Sequence, residues 1–184
     1  MRKNTNLIIS VLVLLLQTGN ILADGDNRFN SINAKFELTD ADGMPVTEQV
    51  LRGHYTLMAF GFTHCLHICP MMAANMAMTL KISPPETLGI FVSVDTERDT
   101  PAITQAYASG YNDSMIGLGG TYDQIRQAAN NFNVSYVVTK SDKAYTVEHT
   151  SDIFLIGPDG KVQEVFALNA SPGDMVKAMQ ATAD

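Results

Sequence analysis

The order of apolar runs, turn signals and helix caps predicts an α/β domain: a central mixed β-sheet flanked by helices, with an added N-terminal β-hairpin. Three observations carry that expectation. Two short apolar runs, residues 55–60 and 88–94, are each followed by a helix-start signal, Pro70 in one case and Thr100-Pro101 in the other. A strand–helix–strand succession of this kind requires a right-handed crossover and a parallel pair. The chain then closes with a hairpin pattern and a capped helix, which supplies antiparallel neighbours to the same sheet.

The elements follow in order. Residues 36–38 and 45–46 flank the turn Asp40-Ala41-Asp42-Gly43, a hairpin signal. The run 55–60 reads as a buried strand. Pro70 opens a helix to about Ile82, stopped by Ser83-Pro84-Pro85. Residues 88–94 form the next strand, and Thr100 caps a helix that ends near Gly110. Thr121 and Gln124 make a capping box for a helix to about Phe132. Residues 134–138 and 145–148 read as strands around Lys140-Ser141-Asp142-Lys143, and residues 153–156 and 161–168 as a hairpin around Gly157-Pro158-Asp159-Gly160. Ser171-Pro172 caps a last helix with Asp174 in its first turn.

The length of 184 residues suits one domain with a substantial core. Residues 1–23 read as a signal peptide or N-terminal anchor, 24–33 as a polar linker, and 34–184 as the folded domain. Arg2 and Lys3 precede an apolar run over 7–16, and Ala23 can close a cleavage site. That run is shorter than the ~20 residues of a spanning helix, which favours cleavage. Either way the domain is expected outside the cytoplasm, where unprotected thiols oxidise. Net charge is −7, and without the first 23 residues the chain carries 10 basic and 19 acidic residues. So acidic a surface argues against nucleic acid and against a basic membrane patch.

The chemistry concentrates in Gly61-Phe62-Thr63-His64-Cys65-Leu66-His67-Ile68-Cys69-Pro70, which holds both cysteines of the chain. Pro70 at the first helical position puts Cys69 at the N-cap, where the helix dipole should lower its pKa below the free value of ~8.5. Residues at i and i+4 have Cβ atoms about 5–6 Å apart. A disulfide wants roughly 3.5–4.5 Å, whereas an ion with bonds of about 2.3 Å to each sulfur holds them roughly 4 Å apart. The spacing suits a shared soft ion, copper(I) or zinc, and a small backbone shift still allows a redox disulfide. A static staple closing so short a loop would stabilise little. A third ligand comes from His54, His64, His67 or His149. His54 reads as a surface histidine. His149 lies just before the strand 153–156. A dithiol between the first core strand and the first core helix resembles the thioredoxin arrangement, in which that junction faces the thiols. Thioredoxins place a cis-proline there. This chain has no proline between Pro101 and Pro158, so the usual exchange site is incomplete.

Phe60-Gly61-Phe62-Thr63-His64-Cys65, Cys69-Pro70, Val94-Asp95-Thr96-Glu97-Arg98-Asp99-Thr100-Pro101 and His149-Thr150-Ser151 together resemble the Sco/SenC proteins over residues 35–184. The resemblance implies a thioredoxin-like domain that binds copper(I) and copper(II) through Cys65, Cys69 and His149. It implies delivery of copper to the CuA centre of cytochrome c oxidase, or reduction of that centre's cysteines, on the periplasmic side, free or tethered. Implied partners are the CuA-containing oxidase subunit, a periplasmic thiol reductant and another copper carrier. Two departures stand out: Leu66 and His67 replace the family's usual proline and aspartate, and Thr96 replaces a proline.

Several residues keep two readings. His67 is an accessory ligand or outer-sphere donor, or else a solvated loop residue. Asp95 acts behind the ligands, or caps a turn and pairs with Arg98. Met71, Met72, Met76 and Met78 are transient copper(I) ligands or core filling. His64 reads as structural in the turn, near enough to Cys65 to tune it. The polar stretch 139–144 before His149 suits the local mobility that metal exchange needs. The competing function is a thiol–disulfide oxidoreductase using Cys65 and Cys69. Thr63-His64-Cys65 has the wrong spacing for a peroxiredoxin nucleophile, and a catalytic zinc site lacks an evident general base.

Overall fold

The computed structural model describes residue 29 and residues 31–181, Lys143 excepted. The expected leader or anchor over 1–23, and the linker apart from its last residues, lie outside the described residues. Those last residues are already docked: the Asn33 amide donates to the Asn131 carbonyl, and Ala34 is buried. Among the described residues no helix is long and apolar enough to cross a membrane.

The sheet is built around β3 (Thr56–Gly61), which lies at the centre of five strands. β3 runs parallel to β4 (Leu88–Ser93), and β4 parallel to β5 (Met115–Leu118). On its other side β3 pairs antiparallel with β8 (Ile153–Ile156), which pairs antiparallel with β9 (Val162–Phe166). The mixed sheet is therefore as the sequence predicts. The N-terminal hairpin, β1 (Glu37–Thr39) with β2 (Pro45–Thr47), forms its own ribbon, tied to the domain by a bridge from Thr39 to Gly119.

Alternation along β3 separates two apolar cores. Met58 and Phe60 join Ile90, Val92 and Phe154 against Ile125 and Ala128 of α3 (Tyr122–Asn131) and Phe132 at its C-cap. The Phe60, Phe132 and Phe154 rings pack there at 5.2–6.2 Å between centroids. Leu57 and Ala59 face the other way, toward Met72 and Met76 of α1 (Ile68–Leu80), Met175 and Met179 of α4 (Pro172–Ala181), and Ala108 of α2 (Pro101–Ser109). Each large side chain so buried stabilises the domain by about 1.5–3 kcal/mol.

Three expectations need correction. β5 is a strand the sequence pattern does not announce. It is short and interrupted by Gly117, whose place is set by packing: a Cβ there would meet the Thr104 carbonyl of α2 at 2.2 Å. A 3-10 turn (Glu48–Leu51) also goes unannounced. Third, strand pairing reaches further toward the predicted turn than the sequence pattern suggests: Thr139 to Ser141 belong to one strand and Ala144 opens the next. β6 (Tyr136–Ser141) and β7 (Ala144–His149) pair through their whole length, from Tyr136 opposite His149 to Ser141 opposite Ala144.

Candidate metal centre

β3 ends at Gly61, and the chain crosses Phe62 to His67 before α1 begins. Gly61 leaves room for sulfur, since a Cβ there would sit 3.0 Å from Cys69 Sγ and 2.8 Å from the Phe91 ring. Both cysteines are free thiols, Cys65 half-buried and Cys69 fully buried. α1 starts at Ile68, two residues before the predicted start, so Cys69 lies inside the first turn and His67 holds the N-cap position. His67 makes no side-chain capping bond. Cys65 Sγ takes that role, receiving the Cys69 amide at 3.5 Å.

This geometry reverses the expectation that Cys69 is the activated thiol. Partial burial pushes Cys65 up, but the backbone N–H groups of Cys69, His67 and Ile68 outweigh it and leave the Cys65 thiol below its ordinary value. Burial pushes the Cys69 thiol far up. The Phe62 backbone opposes that rise and the adjacent Cys65 sulfur adds to it. The dipole argument holds, applied to the sulfur lying outside the helix end.

His149 ends β7 and is brought to the thiols from 80 residues away: its Nε2 lies 3.2 Å from Cys69 Sγ. Its Nδ1 lies 2.8 Å from the Thr150 carbonyl, which can only accept, so Nδ1 carries the hydrogen and Nε2 offers a lone pair toward sulfur. Burial lowers the His149 pKa, the Thr150 bond opposing. Cys69 and His149 therefore meet as a neutral thiol and a neutral imidazole. The Phe62 ring packs edge-on against the imidazole at 5.7 Å. The donor atoms of Cys65, Cys69 and His149 do not all lie within 4.8 Å of one another. The Cys65 sulfur neighbours that of Cys69, close enough for the two thiols to share a hydrogen. A sulfur pair plus an imidazole lone pair is a donor set for copper, thiolates favouring copper(I) and imidazole suiting copper(II).

The placement of His149 is fixed by side chains around Asp95, which is fully buried after β4. Tyr145 of β7 donates its hydroxyl to Asp95 Oδ1 at 2.6 Å, and Arg98 donates to Oδ2. The Arg98 guanidinium lies 3.9 Å from the Tyr145 ring centroid and 5.8 Å from that of Phe62. Lys140 of β6 pairs with Glu97. Asp95 thus pairs with Arg98, one of its two expected readings, and also accepts from Tyr145 on the ribbon that carries His149. Asp99 organises the loop on the other side. It accepts from the Thr63 amide at 2.7 Å, the Thr63 hydroxyl at 2.6 Å and the Ser93 hydroxyl at 2.6 Å, with His64 Nδ1 at 3.1 Å. His64, Asp95 and Asp99 do cluster within 4.8 Å, but these partners already occupy both carboxylates, so the cluster is a hydrogen-bond hub.

The other candidates separate cleanly. His64 is structural, as expected. His67 is exposed beside Cys65. His54 is not a free surface residue: it is half-buried, with Nε2 enclosed and unpartnered. Met72 and Met76 are buried core residues, whereas Met71 and Met78 are exposed. Tyr145 and Asp99 are functional-site residues that the sequence reading passes over. The Tyr145 signal was present: in β7, Tyr145, Val147 and His149 alternate inward on one face.

A family profile described as SCO1/SenC matches residues 24–184. "Protein SCO2, mitochondrial" of Saccharomyces cerevisiae is 32% identical over 161 residues, covering 80% of this chain and 52% of that protein. The chain spans about half the length of the first curated relatives it matches. Among solved structures, Arabidopsis thaliana ScoI with copper bound is 30% identical with a TM-score of 0.75, covering 82% of this chain and 99% of that one. BsSco, described as having a disulfide switch and belonging to the Sco family of cytochrome c oxidase assembly proteins, is 30% identical with a TM-score of 0.64, covering 81% and 91%.

Proposed function

The chain belongs to the SCO1/SenC family, and from that premise we propose that it is an exported copper metallochaperone that loads the CuA centre of cytochrome c oxidase. Cys65 and Cys69 supply thiolates and His149 the imidazole. The observation that carries this reading is the Nε2 lone pair held 3.2 Å from Cys69 Sγ by a hydrogen bond on the opposite ring nitrogen. A metal ligand requires an imidazole in that tautomer, its other ring nitrogen fixed by a carbonyl. The copper-bound relative and the relative described as an oxidase-assembly protein support the cargo and the process. The charge and hydropathy pattern of residues 1–23 supports a periplasmic location, free or tethered.

Copper is the cargo. Transfer is ligand exchange, a partner's sulfur replacing one protein bond at a time, with the half-buried Cys65 the first to release and the fully buried Cys69 the last. Binding displaces the Cys69 thiol proton. The decisive experiment mixes the copper-loaded chain anaerobically with an apo CuA subunit and follows the metal. Movement of copper to the subunit is expected. Rapid reduction of the subunit's disulfide with no metal movement would overturn the proposal. His149→Ala should weaken copper(II) much more than copper(I), and equal loss for both would deny the imidazole its role.

One observation favours a second reading, a thiol–disulfide oxidoreductase acting on the CuA subunit or another exported thiol protein. An accessible Cys65 of lowered pKa beside a buried Cys69 of raised pKa is the asymmetry of an attacking and a resolving thiol. Among the described residues no peptide bond is cis, so the substrate-side feature of thioredoxins is missing. Reduction of a partner disulfide by the His149→Ala variant at the wild-type rate would support this reading.

A further inference from the structure

A groove lies open beside the ribbon that carries His149. One wall is α3, which turns Ile125, Ala128 and Ala129 into the core. On its other side Tyr122, Arg126 and Asn130 recur every four residues along one face. The facing wall is the start of β6, Ser135 to Val138. The groove encloses about 590 Å³, and no acidic residue lines it. Arg126 supplies its only charge. That guanidinium pairs with Asp123 at 3.0 Å, but both side chains are more than half exposed, and so exposed a pair is held weakly. Tyr136 has a buried hydroxyl without a hydrogen-bond partner among the described residues. Burial raises its pKa, Tyr122 adding and Arg126 opposing, so the three side-chain ends converge on the groove.

The edge of β6 is the second feature. Among the described residues β6 pairs with β7 alone. No residue of β7 lines the groove, which therefore runs along the far edge of β6. The Thr150 amide donates to the Ser135 carbonyl at 2.9 Å. By the alternation of an antiparallel ladder, the N–H and C=O groups of Tyr136 and Val138 then turn away from β7, toward the groove. Edge strands are ordinarily guarded by a charge, a proline or a bulge. Tyr136-Val137-Val138-Thr139 holds neither charge nor proline, and its register with β7 is unbroken. Val137 is 58% exposed. Lys140, the nearest charge in the strand, is tied to Glu97.

We propose that this groove takes an extended segment of a partner protein, added as a strand to the β6 edge, with one carboxylate of that segment on Arg126. Two features choose the occupant. A free row of backbone groups fits another backbone rather than a compact small molecule. A single guanidinium with no acid around it in the lining fits a carboxylate. Tyr136 is the register partner of His149, so the seated segment lies two strand spacings, ~10 Å, from the strand that bears the imidazole. The partner is held beside the metal centre while Cys65 and Cys69 stay open. The inference goes beyond the copper reading and does not depend on it.

The test uses the full chain, reduced and metal-free, with 15N-labelled amides. The probe is a capped peptide of about six residues, an ordinary strand length, alternating valine and threonine around one central glutamate. The Tyr136 and Val138 amides should shift on titration and exchange with solvent about tenfold more slowly in its presence. Arg126→Gln, a surface change, should weaken binding about tenfold. With glutamine in place of the peptide's glutamate, the variant and the wild type should bind alike. Lys161→Gln, at an 80% exposed side chain outside the groove, should bind as wild type does. Unmoved Tyr136 and Val138 amides, or unchanged exchange there, overturn the proposal. Sodium acetate that reproduces the same shifts reduces the groove to a surface anion contact and overturns it too. So does protection of these amides that grows with protein concentration before any peptide is added, which marks the edge as a contact between copies. No copper enters these readouts, so failure of the copper reading shows in metal titrations and leaves them unmoved.

Discussion

Tyr145→Phe removes one oxygen and tests how the imidazole is held. The hydroxyl donates at 2.6 Å to Asp95, a carboxylate with no solvent exposure. Its own pKa is pushed up to about 12, by burial first and then by donation to Asp95, so it stays a donor throughout the neutral range. A hydrogen bond to a charged group contributes roughly 1.5–3 kcal/mol, and its loss leaves Asp95 Oδ1 short of a partner. Tyr145 is half-exposed, so water refills part of the gap, and the loss should fall near ~1.5–2 kcal/mol. In a domain of this size that lowers Tm by roughly 3–8 °C. Phenylalanine keeps the ring under the Arg98 guanidinium, which isolates the hydroxyl. Urea unfolding of the reduced apo protein gives the energy, and hydrogen exchange of the β6–β7 amides gives its location. Lys140→Ala is the control, since its ion pair with Glu97 is exposed and should matter by less than about 1 kcal/mol. An unfolding midpoint unchanged in Tyr145→Phe, or faster exchange spread evenly over the domain, would refute the anchoring argument.

Three further outcomes follow from the same geometry. Iodoacetamide should modify Cys65 well before Cys69, with the Cys65 rate levelling off below the pH of an ordinary thiol; equal modification by peptide mass would contradict the assignment. The lowered His149 pKa means that the unfolded chain takes up a proton near pH 6.5 that the folded chain refuses. Apo stability should therefore fall as pH drops from 6.5 toward the folded value, and His149→Gln should flatten that slope in urea melts; identical slopes would exclude the burial effect. Gly61→Ala sets a methyl against Cys69 Sγ and the Phe91 ring. It should cost about 1–3 kcal/mol by overpacking and weaken copper(I) binding in competition with a chelator, whereas unchanged binding would show that the sulfur has room to move.

Much of this was legible before any coordinates. The caps at Thr100 and Thr121 predicted their helices because the hydroxyl-to-amide bonds that form them are local. The likeness to the thioredoxin arrangement predicted that the residue just before β8 faces the thiols, and His149 Nε2 does lie 3.2 Å from Cys69 Sγ. What failed was what depends on distant contacts. β5 hides because Gly117 answers to the α2 backbone and not to its neighbours in sequence. The sequence points to Cys69 as the activated thiol because Pro70 suggests a helix start that in fact lies at Ile68. His54 looked solvated because its enclosure comes from tertiary packing.

Among the described residues, the ribbon that ends in His149 pairs with no strand of the five-stranded sheet. The imidazole is in effect mounted on a bracket bolted to the domain by Tyr145, Arg98 and Lys140, and it belongs to no wall of the building. On the proposed copper role, movement of the imidazole would strain the Tyr145, Arg98 and Lys140 contacts and the Val147 packing before it touched the pairing of the five-stranded sheet.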